Sequence, residues 1–234
     1  MIEIIPTNTC PRDFAEMSKR SDFFAQFTGW VQLDISDGAF TSALSWPYGE
    51  RQWDELESLA AGALDLPSAP PLQYETHLMV EEPRELGMRL AEGGIVRIIG
   101  HVEAFADAKE ILSALDSWRT SGAREVGLAL LLDTPLPVLE PMIGACNVVQ
   151  VMSIATLGAQ GAAYDARAIA RIKELHTKYP DLVISVDGGV SEKNIAELSR
   201  AGARRFGVGS AISKASDPKA AYEKLKAVAE SAIE

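Results

Sequence analysis

Cysteine is scarce. The chain holds two in 234 residues, Cys10 and Cys146, which form no disulfide framework and no metal-ligand spacing. They read as two small buried hydrophobes in a reducing compartment. Positive charge is also in deficit. The net charge of -11 argues against nucleic acid or an anionic membrane as a partner, because both would be repelled. It leaves an anionic metabolite open, since backbone N–H groups and helix N-termini hold phosphate whatever the overall charge. No run approaches the roughly 20 apolar residues that span a bilayer. The first residues, Met1 to Pro6, carry neither a basic stretch nor a long apolar core, so a cytoplasmic location is expected. No Gly-x-Gly-x-x-Gly follows the first strand candidate, which counts against a dinucleotide fold.

What is present is a regular alternation. Short apolar, β-branched runs lie at Glu3–Ile5, Trp30–Ile35, Leu72–Leu78, Ile95–His101, Val126–Leu131, Val148–Met152, Leu182–Val186 and Arg205–Val208. Amphipathic stretches separate them, among them Glu55–Leu64, Ala104–Trp118, Asp165–Lys178, Ser191–Ala201 and Pro218–Ile233. Strand–helix alternation implies parallel strands with crossover helices. Eight units in this length favour a closed (β/α)8 TIM barrel over an open doubly wound sheet. No linker or composition break interrupts residues 1–234, so a single domain is expected.

Polar residues fall at strand ends. Gln32 and Asp34 share a face of the second strand, Glu75 and His77 share one on the third, and Asp187 ends the seventh. Each alone fits a solvated strand end or a helix cap. Together, Asp34, His77 and Asp187 deliver two carboxylates and one imidazole to one rim, a set suited to a divalent cation such as zinc, iron or manganese. Glycine supplies a second signal. Gly188 and Gly189 follow the seventh strand, and Gly209 with Ser210 follows the eighth, where barrels commonly bind phosphate on exposed backbone N–H groups.

Several segments resemble the ribulose-phosphate 3-epimerase family. They are LDISDGAF at Leu33–Phe40, THLMV at Thr76–Val80, GHVEA at Gly100–Ala104, VQVM at Val149–Met152, VDGGV at Val186–Val190 and GVGSAI at Gly207–Ile212. The resemblance runs in order over essentially the whole chain. It implies a small phosphorylated sugar as partner, a homo-oligomer, and inversion of C3 in a ketopentose phosphate. Asp34 and Asp187 would be the paired acid and base, and a metal would be held by Asp34, His77, Asp187 and the residue at position 32. It also implies substrate contacts from Thr7, Met79 and Met152; core packing is the other reading of the two methionines. Phosphate binding would extend to Gly158 and Gly161. The chain departs from the family pattern at Gln32, where the family carries a histidine; an amide oxygen is the weaker donor, so weakened or altered metal binding is expected. It departs again at Ala155–Gly161, which lacks the family's proline and Gly-Gly pair, and at Ser36 and Ala39. An aldolase- or decarboxylase-like enzyme on the same barrel stays open, although no strand end carries the lysine of a Schiff-base mechanism. So does a catalytically impaired sugar-phosphate binder.

Overall fold

The apolar runs pair in parallel, each with the next, and the last returns to the first. A computed structural model describes residues 1–155, 157, 161 and 163–233. Its strands are β1 Glu3–Thr9, β2 Trp30–Ser36, β3 Gln73–Met79, β4 Arg97–His101, β5 Glu125–Leu130, β6 Val148–Met152, β7 Val183–Asp187 and β8 Arg205–Val208. β8 closes on β1, with Glu3 opposite Arg205 and Pro6 opposite Val208. This is the (β/α)8 barrel that the alternation predicts.

Residues along each strand take two fates. Leu33, Ile35, Leu78, Ile98, Leu128, Val151, Val186 and Phe206 point outward into one continuous apolar shell with the helices. The alternate positions point inward, where Ile99, Ala129 and Val148 form a small separate cluster. The barrel interior is polar at both ends. At the N-terminal floor lie Glu3, Glu75, Glu125, Arg97 and Arg205, and at the C-terminal rim lie Asp34, His77, His101 and Asp187.

The helices are α1 Phe14–Phe24, α2 Trp53–Ala60, α3 Pro83–Glu92, α4 Ala108–Thr120, α5 Arg167–Lys178, α6 Ile195–Ala201, α7 Ser210–Ser213 and α8 Pro218–Ser231. Asp13, Asp107 and Asp217 cap α1, α4 and α8 by accepting from backbone N–H groups in the first turn. Strict alternation fails once. Between β5 and β6 the described chain makes two 3₁₀ turns, Leu136–Leu139 and Ile143–Ala145, instead of an α-helix. Pro135, Pro137 and Pro141 remove backbone donors there, so a continuous helix cannot form. Element starts also move. A 3₁₀ turn at Val102–Ala104 and the Asp107 cap delay α4, and β1 runs on to Thr9.

Candidate active site

Thr9, Asp34 and His77 stand side by side at the rim, because β1, β2 and β3 place Thr9 opposite Asp34 and Asp34 opposite His77. β7 brings Asp187 in from the other side. The ligand atoms of Asp34, His77 and Asp187 all lie within 4.8 Å of one another. His77 Nδ1 is 3.5 Å from Asp34 Oδ1 and 3.2 Å from Asp187 Oδ2. Gln32 sits beneath them, fully buried, and its Nε2 donates to the same two oxygens at 2.7 and 3.0 Å. Gly207 makes this approach possible: a Cβ there would lie 3.0 Å from Gln32 Oε1 and 3.1 Å from Asp187 Cγ. Glu75 shares a strand face with His77 as its spacing requires, but it lies at the floor against Arg205, 3.2 Å away.

A buried chain of groups leads away from His77. Its Nε2 lies 2.9 Å from His101 Nε2, and His101 Nδ1 lies 3.0 Å from Glu103 Oε2. Glu103 Oε1 also accepts from the Leu131 amide and from the Thr134 hydroxyl. A carboxylate only accepts, so His101 Nδ1 carries the proton and its Nε2 is bare. His77 Nε2–H must therefore donate to it. That assignment leaves His77 Nδ1, facing both aspartates, free to take either a proton or a cation. Burial depresses His101 to about 4 against the pull of Glu103. Burial acts the same way on His77, yet the Asp187 and Asp34 carboxylates outweigh it and raise that imidazole to about 9. Burial, with the charge of Asp187 adding to it, raises Asp34.

These side chains open into a cleft lined by Thr7, Thr9, Met79, Met152, Gly161, Gly188, Gly189, Gly209 and Ser210 as well as the aspartates and His77. Met79 and Met152 belong to a rim cluster with Ile154 and Leu157 that is separate from the main core, and Phe40 packs against it. The turn after β7 is held by Ser153, whose hydroxyl donates to the Asp187 and Gly188 carbonyls. Asn194 accepts from the Ser191 amide and donates to the Gly189 carbonyl, so the loop caps itself and Asp187 is not used as a helix cap. Gly161 borders the cavity; Gly158 lies outside the described residues. Thr9 and Ser153 are not marked by the sequence motifs, and Gly207 is marked only as part of the GVGSAI segment. Thr9 was findable, because it shares a strand face with Thr7, and their hydroxyls are 2.9 Å apart. The cysteines are half-buried rather than fully buried, and burial pushes both thiols up to about 12.

Comparison with known proteins agrees with this geometry. The sequence model of the family described as "Ribulose-phosphate 3 epimerase family" matches residues 5–213. A ribulose-phosphate 3-epimerase of Aquifex aeolicus is 33% identical, over 87% of this chain and 86% of its own. The cytoplasmic isoform of ribulose-phosphate 3-epimerase from Oryza sativa is 29% identical, over 88% of this chain and 85% of its own. Among solved structures, KGPDC from Streptococcus mutans superposes over the full length of both chains with a TM-score of 0.70 at 11% identity, a likeness of fold alone.

Proposed function

Because the chain belongs to the ribulose-phosphate 3 epimerase family, we propose that it inverts C3 of a ketopentose phosphate, interconverting D-ribulose 5-phosphate and D-xylulose 5-phosphate. The observation that carries this reading is the meeting of Asp34 and Asp187, from strands far apart in the chain, in one cavity that also holds two glycine turns. The hydrogen on C3 lies next to the C2 carbonyl, so its removal as a proton leaves an enediolate. One aspartate takes the proton from one face as general base, and the other returns a proton to the opposite face as general acid. Burial raises Asp34, the direction that favours its holding a proton. Backbone N–H groups of Gly188, Gly189, Gly209 and Ser210, with Gly161 at the cavity edge, would hold the phosphate. Thr7, Met79 and Met152 would line the sugar, the thioethers giving a polarisable, dry wall.

The site also suits a divalent cation, zinc, iron or manganese. His77 Nδ1 is buried and faces two carboxylates, 3.5 and 3.2 Å away, a donor set such ions accept. Asp34, His77 and Asp187 would hold the ion, which when bound supplies Lewis-acid stabilisation of negative charge on the sugar oxygens. No described helix is long and apolar enough to cross a membrane. A homo-oligomer acting in the cytoplasm completes the reading; the name of the Oryza sativa relative carries that location.

The test is solvent exchange. In D₂O with ribulose 5-phosphate, the wild type is expected to place deuterium at C3 and to form xylulose 5-phosphate. Asp34→Asn and Asp187→Asn are each expected to slow this by at least about 100-fold. A wild type that gains thermal stability with the sugar phosphate yet exchanges no C3 hydrogen would instead be a binder.

A further inference from the structure

Gln32 holds the two oxygens that a cation would need. Asp34 Oδ1 and Asp187 Oδ2 are the atoms that face His77 Nδ1, and both already accept from the Gln32 amide nitrogen, at 2.7 and 3.0 Å. Charge fixes the amide's orientation. An amide NH₂ offers two donors to two carboxylate oxygens, whereas the reversed group would set its carbonyl lone pairs against both. The consequence is visible on the far side, where Gln32 Oε1 is buried with no hydrogen-bond partner. A buried orphan carbonyl is costly, so the fold accepts that loss to satisfy the carboxylates.

We infer that Gln32 is a clamp rather than a fourth metal ligand: its NH₂ joins Asp34 to Asp187 in the metal-free protein and competes with the cation for them. The positive end of the amide dipole points into the carboxylate pair, where it lowers the attraction for any second positive charge. The same bonds keep the aspartates together without an ion. This inference rests on the reading of Asp34, His77 and Asp187 as a cation site and is independent of which sugar the enzyme takes.

The sign of one substitution separates clamp from ligand. Protein stripped with a chelator is titrated with Mn²⁺ by calorimetry, in the wild type, Gln32→Ala and the near-isosteric Gln32→Met. A clamp predicts that both variants bind Mn²⁺ at least about tenfold more tightly than the wild type, and that their thermal stability without metal falls while the deficit shrinks at saturating Mn²⁺. Weaker or equal binding in the variants overturns the clamp. Absence of binding in all three proteins overturns the cation reading beneath it. Should neither variant fold, the wild type decides. Both Gln32 side-chain amide protons are expected downfield without metal and upfield of that position when zinc saturates the site; protons that stay put overturn the inference.

Discussion

His77 and His101 share a hydrogen bond, yet their surroundings pull their titrations in opposite directions. In the metal-stripped protein His77 is raised from 6.5 to about 9, so its stabilisation is full below pH 6.5 and is lost as pH climbs through 9. His101 is lowered from 6.5 to about 4, so the fold loses stability as pH falls from 6.5 toward 4, where the unfolded chain binds the proton better. The two limbs together place a stability maximum near pH 6.5. Urea unfolding across pH 4.5–9 is expected to show that peak, with the acid limb flattened in His101→Asn and the alkaline limb flattened in His77→Asn. Unchanged slopes in the variants would contradict the assignment. Asp34, His77 and Asp187 were legible in the sequence because strand periodicity alone puts them on one rim. The partners of Gln32 were not, because its second contact is 155 residues away and depends on how closely β7 and β8 approach.

At the scale of elements, the turn from β7 into α6 joins Asp187 to the glycine turn proposed to hold phosphate. Gly188 has φ of 110°, and a Cβ there would come within 2.7 Å of the Ile154 side chain. Ile154 in turn bridges to Tyr164 across the connection after β6. Gly188→Ala therefore strains the backbone and drives two loops apart at once. It is expected to destabilise the protein by about 1–3 kcal/mol and to weaken thermal stabilisation by ribulose 5-phosphate more than the fall in stability explains. An unaltered response to the ligand would detach this turn from phosphate binding. The glycine pair was readable as motif, since only glycine takes such a conformation readily. The β5–β6 connection departs from the alternation because three closely spaced prolines forbid a continuous helix there.

For the whole molecule, the polar floor lies at the end of the barrel opposite the rim. Arg205 reaches Glu3 at 2.7 Å, Glu75 at 3.2 Å and Glu125 at 2.8 Å, and Arg97 reaches Glu3 and Glu125, each at 3.0 Å. Three acids thus share two guanidiniums, and Glu75, fully buried, is raised by that burial. Of this network the sequence marks only Glu75, as a strand-end companion of His77; Glu3, Arg97, Glu125 and Arg205 open their strands, in positions that look solvated until the barrel closes around them. Arg205→Met removes one shared cation and leaves Glu75 with only Arg97, 3.9 Å away. Breaking a buried pair from one side costs about 3–5 kcal/mol, whereas removing both charges costs much less. Arg205→Met is therefore expected to lower Tm by roughly 6–20 °C, and the added change Glu75→Gln to recover a large part of it. Because Arg205 is bonded to Glu3, Glu75 and Glu125 rather than to the rim side chains, the folded variant is expected to retain C3 exchange within about twofold. A collapse of exchange with stability preserved would mean instead that Arg205, two residues before Gly207, sets how close β8 lets Gln32 come to Asp187.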